Sequence, residues 1–437
     1  RFLHKPMKKP LLPALLLNLL FSTAMADKDA EMALGDEAYE QIQILARAIE
    51  VIREQYVDEE KVTYERLIAG ALDGMFASLD PHSSYMQPQV FQQLQRESSG
   101  TYDGVGITVA MRNDALRVIA AREDGAAARE GVLPGDVLLQ IGETLTEKLD
   151  WTEAMELLRG EPGEMLRIIV SRPATKEILE FEIVRELIRE TTVKDAMLLE
   201  EAMSGPSKIG YVRLLQFGAE SARELANALD QLEDEGMEAL VFDLRNNPGG
   251  LLTAAVEILG EFLPPDTTVV TTEGRNPREN PPAYRTPAVK RRERDYPVAV
   301  LVSHSSASAS EVVAAALQDL KRAVIIGETT FGKGSVQQVM PMGMGTGAAM
   351  RLTTSKYYTP SRRVIHERGV TPDIISTLTP DEERLLAQWR NRANLDEDER
   401  AEVEHFQDRQ LERAVDALKA FLIWEKKGTT PARRGRK

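Results

Sequence analysis

Cysteine is missing from all 437 residues. Its absence excludes disulfides, a thiolate nucleophile and cysteine-ligated zinc or iron–sulfur centres together. It leaves the redox compartment open, because a chain without thiols is indifferent to it. Histidine is nearly as scarce. The five present (His4, His82, His304, His366 and His405) are scattered, and the chain has neither an H-E-x-x-H pair nor a G-x-S-x-G elbow. Positive charge is in deficit: 54 Lys and Arg against 69 Asp and Glu leave a net charge of -15. That excludes the overall basic footprint of general nucleic-acid binding, though not a local patch. Beyond the first residues no apolar run approaches the ~18 needed to cross a bilayer.

What is present suits a folded, multidomain chain. Hydrophobic residues at 43% and charged residues at 28% are near the globular average, and the length calls for two or three domains. Residues 1–26 carry Arg1, Lys5, Lys8 and Lys9, then an apolar run from Leu11 to Phe21, then Ala24-Met25-Ala26. That order matches a secretory signal peptide cut before Asp27. The expectation is an exported, periplasmic or otherwise extracytoplasmic protein, with an uncleaved membrane anchor as the alternative.

Five regions follow from pattern: the leader 1–26, a helical region 27–95, a β-rich module 96–188, an α/β core 189–377 and a charged helical tail 378–437 with a disordered basic end. In 27–95, Leu45, Ile49, Ile52 and Tyr56 are spaced for one buried helical stripe, and Leu67, Leu72, Met75 and Phe76 for a second. Asp80-Pro81-His82 should break the helix. Glycine-punctuated β-branched runs mark 96–188, with a helix at Trp151–Leu158. In the core, runs at Ala239–Leu244, Val298–Val302 and Ala323–Ile326 read as strands, and 251–262 and 309–320 as helices. The proline- and charge-rich stretch 273–296 reads as a long, mobile, exposed loop.

Three core segments can carry chemistry. Asp243-Leu244-Arg245-Asn246-Asn247-Pro248-Gly249-Gly250 runs a strand into a glycine turn that opens a helix, a place where backbone N–H groups can meet a developing oxyanion. It also reads as an ordinary tight connection. Ser303-His304-Ser305-Ser306-Ala307-Ser308-Ala309-Ser310-Glu311 ends on S-x-x-E, so Ser308 either caps a helix or displays a nucleophilic hydroxyl there. Phe331-Gly332-Lys333-Gly334-Ser335-Val336-Gln337 sets a lysine between glycines beside apolar strands. Desolvation there would lower the lysine pKa and leave a neutral amine able to take a hydroxyl proton, with Gln337 orienting it; a solvated loop lysine is the plain alternative. His304 beside Ser308 keeps a Ser–His pair open.

Taken together these segments resemble the carboxyl-terminal processing (tail-specific) proteases: D-L-R-x-N-P-G-G, S-A-S-A-S-E and G-K-G-x-x-Q stand in that order, with Lys333 25 residues after Ser308 (333 − 308). Asp80-Pro81-His82-Ser83-Ser84-Tyr85, Tyr357-Tyr358-Thr359-Pro360-Ser361 and Gly369-Val370-Thr371-Pro372-Asp373-Ile374 agree, so the likeness runs from about 40 to 376. The resemblance implies Ser308 as nucleophile, Lys333 as general base and Gln337 as its orienting group. It implies an oxyanion hole from the Ala309 amide and one amide of Gly249-Gly250, and it needs no cofactor or metal. The implied fold is a crotonase-like α/β core with an inserted PDZ-like domain between helical N- and C-terminal segments.

Within that PDZ-like domain Gly104-Val105-Gly106-Ile107 would bind a substrate's C-terminal carboxylate while the tail adds as a strand. Arg159 would couple the domain to the core, or is simply a helix-end arginine. The implied partners are exported proteins with exposed apolar C-termini; self-association through the helical ends and an adaptor protein stay open. A tail-binding adaptor with an inert core is the alternative function, and an acyl-CoA enzyme a weaker one that gives the module no role. One departure stands out: His304 and Ser305 replace an acidic residue and a glycine. If the glycine position needs positive φ, Ser305 is strained by roughly 1–2 kcal/mol.

Overall fold

Strands buried on both faces read as unbroken apolar runs, because helices cover a parallel sheet on each side. The runs Ala239–Asp243 and Val298–Val302, buried at every position, occupy the centre of such a sheet. The computed structural model describes residues 36–428, apart from 99–100, 113–114, 123–124, 150, 174, 190, 276–282, 344, 393–394 and 396. The leader 1–26 and the basic end 429–437 lie outside the described residues. The central sheet has six strands in the order Val193–Leu198, Ile209–Leu214, Ala239–Asp243, Val298–Val302, Ala323–Gly327 and Ile374–Ile375, antiparallel at the first pair and parallel thereafter.

Period-2 alternation divides the side chains between two cores. Leu240, Phe242 and Val300 pack with Leu229, Ile258 and Val313 of the helices Ser221–Asp234, Leu252–Phe262 and Ala309–Asp319. Val241, Ala299 and Leu301 face the other way, onto Leu411, Val415, Leu418 and Leu422 of the helix Arg409–Gly428. Burying a leucine or valine side chain contributes about 1.5–3 kcal/mol. The region from 378 onwards is therefore no loose appendage: its last described helix forms one wall of the core.

A second, antiparallel sheet joins Ser84–Met86, Ala349–Tyr358, Thr268–Gly274 and Ala283–Arg285, with Ser335–Pro341 also paired to Ala349–Tyr358. The β-rich module has its own six-stranded sheet, from Ile107–Arg112 to Glu177–Val184, around Val118, Ile141, Ile168 and Ile183. Thr101–Gly104 pairs antiparallel with Glu186–Arg189 where the chain enters and leaves it.

The chain divides into two compact units at Ser78, not near 95. Residues 79–95, grouped by sequence with the helices, belong to the larger unit because Ser84–Met86 is a strand of the second sheet. The smaller unit holds the helices Asp36–Gln55 and Tyr64–Ala77, the second capped by Thr63. Its expected first stripe is not buried: Leu45, Ile52 and Tyr56 are exposed, and in the second only Phe76 is buried while Met75 is exposed. Two helices alone supply no second layer to cover both. The stretch 273–296 is also better anchored than its composition suggests. Within it Arg294 is fully buried and pairs with Asp230 at 2.6 Å and with Glu261. Among the described residues no helix is long and apolar enough to cross a membrane.

Candidate active site

Parallel strands deliver their following loops to one edge, and here that edge gathers the three chemistry-bearing segments. Strand Ala239–Asp243 leads into the glycine turn, Val298–Val302 into the serine loop, and the Lys333 loop leads into Ser335–Pro341. Ser308 caps the helix Ala309–Asp319, as the S-x-x-E pattern predicts. Its backbone, at φ 56° and ψ -114°, departs from the extended conformation of an ordinary N-cap. Strain of this kind, ~1–3 kcal/mol, gathers at functional sites. Ser305 has no positive φ. The strain feared at the glycine position falls on Ser308 instead.

Three other serines of the loop serve as rivets. Ser306 donates to the Leu244 carbonyl at 2.8 Å, Ser310 to the Asn247 carbonyl at 2.9 Å, and Ser303 to Asn246 Oδ1 at 3.1 Å. All three therefore pin the serine loop to the glycine turn. The Ser308 hydroxyl is half-buried and lies within hydrogen-bonding reach of the Tyr357 phenol. His304 is turned elsewhere, its Nδ1 3.1 Å from Glu328 and 3.4 Å from Glu383, so the Ser–His pair is not formed.

Glu311 ties the serine loop to the lysine loop. This fully buried carboxylate accepts four hydrogen bonds: Ser308 N–H at 2.8 Å, Thr330 Oγ1 at 2.6 Å, Gly332 N–H at 2.7 Å and Lys333 N–H at 2.8 Å. Burial pushes its carboxyl up, and those donors only partly offset the shift. The sequence flagged Glu311 as a helix cap and missed this second role. Gly334 has to be glycine, since a Cβ there would fall 2.3 Å from the His366 nitrogen.

Lys333 is half-buried. Desolvation lowers its pKa, the Arg351 charge lowers it further, and Glu311 pulls the other way. Its amine donates no hydrogen bond and forms no ion pair among the described residues, so no direct bond joins Ser308 and Lys333 in this conformation. Gln337 does not reach the amine: its Nε2 donates to Ser335 Oγ at 2.8 Å and weakly to Thr353 Oγ1 at 3.4 Å. A shift in register between Val336 and Gln337 accompanies this placement. Tyr357, unremarked in the sequence, donates its hydroxyl to the Lys333 carbonyl. Burial pushes that phenol up, as does Glu311, against a hydrogen-bonding contribution from Ser308, so it stays protonated beside that serine.

The glycine turn supplies amides. Gly249, at φ 98°, lies so close to Ser308 that a Cβ would sit 2.6 Å from the Ala307 oxygen and 2.8 Å from Ser308 Cβ. Its own N–H is committed to Asn247 Oδ1 at 2.9 Å. The Gly250 and Ala309 N–H groups have no acceptor among the described residues, which leaves Gly250, not Gly249, as the turn's available donor. A Cβ at Gly249 would push the turn off Ser308 and displace the neighbouring Gly250 amide, so Gly249→Ala should lower kcat about 10²-fold, the scale of one lost oxyanion donor, with peptide affinity unchanged. Steady-state kinetics with a cleavable tail peptide and anisotropy with an uncleavable one check both, and an unchanged kcat would detach the turn from the chemistry.

Elsewhere, Gly104-Val105-Gly106-Ile107 is buried in the β-rich module, with Gly106 at φ 80° and the Val105 and Gly106 carbonyls bonded inward to Ala127 and Arg122. Arg159 is exposed, and its side chain makes no hydrogen bond or ion pair among the described residues.

A model of peptidase family S41 matches residues 208–376, and one of the activating protease CtpB N-terminal domain matches residues 20–90. A carboxy-terminal-processing protease of Bartonella bacilliformis is 36% identical over 344 residues, 77% of this chain and 75% of that one. The carboxy-terminal processing protease CtpB of Bacillus subtilis is 35% identical over 355 residues, 81% and 70% of the two chains. Among solved structures, the photosystem II D1 C-terminal processing protease aligns with a TM-score of 0.44 at 25% identity, covering 77% of this chain and 92% of that one.

Proposed function

This chain belongs to peptidase family S41 and is a serine-type peptidase, and from that premise we propose that it cleaves exported proteins near their C-termini with a Ser308–Lys333 pair. The observation that carries the reading is Glu311, whose one buried carboxylate holds the Ser308 and Lys333 backbones together. Neutral Lys333 takes the Ser308 proton as Oγ attacks the scissile carbonyl carbon. The Ala309 and Gly250 amides receive the developing oxyanion. On collapse the C–N bond breaks, Lys333 returns its proton to the leaving amine, and water then hydrolyses the acyl-enzyme by the same relay.

The unjoined Ser308 and Lys333 side chains support a resting form that closes only with substrate bound, since catalytic hydrogen bonds often tighten in the complex. The 96–188 module acts as a PDZ-like domain in this reading. Gly104–Ile107 captures the tail carboxylate, and Arg159, free on the surface, is available to signal capture to the core. The exposed apolar residues on the helices Asp36–Gln55 and Tyr64–Ala77 support self-association of the chain.

An unstructured reporter with an apolar C-terminus tests both layers. It should be degraded at least about tenfold faster than the same reporter carrying a C-terminal amide, because the amide forfeits charge-assisted hydrogen bonds worth ~1.5–3 kcal/mol. Degradation of neither reporter would remove the peptidase assignment. Equal degradation of both would remove the carboxylate-reading role of the module.

A further inference from the structure

We propose that His304, Glu328 and Glu383 form a divalent-cation site, suited to zinc, that fastens the C-terminal helical region to the start of the serine loop and the end of the neighbouring strand. It lies outside the catalytic groups and does not depend on the peptidase reading. Strand register builds most of it. Val302 aligns with Gly327 across neighbouring parallel strands, and Glu328 N–H bonds the Val302 carbonyl at 3.1 Å. Glu328 is thereby set beside His304. Glu383 arrives on the helix Pro380–Arg390.

The three side chains offer ligand atoms within 4.8 Å of one another. His304 Nδ1 lies 3.1 Å from Glu328 Oε2 and 3.4 Å from Glu383 Oε1. Zinc bonds nitrogen and carboxylate oxygen at about 2.0–2.2 Å, so two ligands of a tetrahedral zinc sit about 3.3–3.5 Å apart. The His304–Glu383 separation falls on that edge, and the His304–Glu328 one is 0.2 Å shorter than its lower end. A single Nδ1–H cannot serve both carboxylates at full strength, whereas a cation draws a lone pair from each of the three atoms.

Charge points the same way. Glu328 is only 13% exposed, and neither it nor Glu383 pairs with a lysine or arginine among the described residues. Two carboxylates and a neutral imidazole carry two negative charges, which a divalent ion cancels. Outer hydrogen bonds already orient the Glu328 carboxylate: Leu378 N–H reaches Oε1 at 3.1 Å and His304 N–H reaches Oε2 at 3.3 Å, the kind of support that tunes metal ligands. The mixed nitrogen and oxygen set favours zinc over magnesium or calcium, which prefer oxygen alone. His304 is 61% exposed, leaving a fourth position for water.

The test is zinc titration of the full-length, chelator-washed protein in competition with a chromophoric chelator, alongside thermal unfolding. The intact chain should take up one zinc per chain, and its unfolding midpoint should rise. His304→Ala, at an exposed position, and Glu383→Gln, at a half-buried one, should each weaken binding by at least about ten- to hundredfold, the range set by loss of mere outer-shell support, and should abolish the midpoint shift. Magnesium and calcium should shift nothing. Absence of stoichiometric zinc binding, undiminished binding in both variants, or an equal response to magnesium or calcium would overturn the site.

Discussion

Lys333→Arg is expected to be as inactive as Lys333→Ala, each losing about 10⁴-fold or more in kcat/KM on an apolar-tailed reporter. A general base has to be neutral to accept a proton, and arginine stays charged at any pH the fold survives. Ser308→Ala should lose as much. The double variant should lose little more, because members of one catalytic unit are not additive. Burial and Arg351 hold the Lys333 amine below the ordinary lysine range, so kcat/KM of the intact enzyme should rise with pH through that lowered value. Linkage gives an independent check. In the window between the lowered folded value and the ordinary one, the unfolded chain binds more protons, so the Lys333 contribution to stability rises with pH. Removing the amine below that window should leave the fold no less stable. A lysine kept for structure would show the opposite, and Lys333→Arg with more than a tenth of full turnover would end its role as base.

The parts of this site that were legible in the sequence are those written locally. Ala239–Asp243 and Val298–Val302 announce themselves as buried strands through unbroken apolar runs, and Ser308 and Lys333 stand in short motifs beside them. Glu311 was visible only as a helix cap, because its contacts to Thr330, Gly332 and Lys333 exist only once the two loops meet. Gln337 was set on the amine by sequence spacing, and a register shift in its strand accompanies a turn toward Ser335 and Thr353 instead. In the tail, Leu411, Val415, Leu418 and Leu422 recur at helical spacing, yet nothing nearby told which sheet they would cover. Composition misled most at 273–296, where proline and charge read as a mobile, exposed loop. Arg294 shows why: its partners Asp230 and Glu261 come from two other helices, so its burial leaves no local trace.

Arg245→Met should destabilise the protein by about 3–5 kcal/mol, the scale of removing one partner from a buried ion pair. Arg245 and Asp243 are almost wholly buried, and they sit where the central strand enters the glycine turn. The guanidinium bonds Asp243 at 2.7 Å and Asp408 at 2.8 and 2.9 Å, across 163 residues of sequence, with Gln410 at 3.0 Å. Arg390 and Tyr211 complete the cluster, each 2.6 Å from Asp243 Oδ2. Three of its members, Arg390, Asp408 and Gln410, come from the tail, so the tail braces the strand that leads into the Gly249-Gly250 turn. Burial alone would push the Asp243 carboxyl up, but Arg245 and Arg390 outweigh it and hold it well below the ordinary carboxylate range. A depressed folded value means that the stabilisation is fully present above the unfolded pKa of about 3.9 and drains away as pH falls toward the folded one. With Arg245 gone, Arg390 and the Tyr211 hydroxyl are left to oppose burial, so acid unfolding should begin at a higher pH than in the intact chain. Urea unfolding at neutral pH and an acid titration followed by circular dichroism measure the two effects. Turnover under native conditions should also fall, more in kcat than in tail affinity, because the Gly250 amide loses its brace. An unchanged urea midpoint with full kcat would mean that the cluster neither stabilises the fold nor positions the turn.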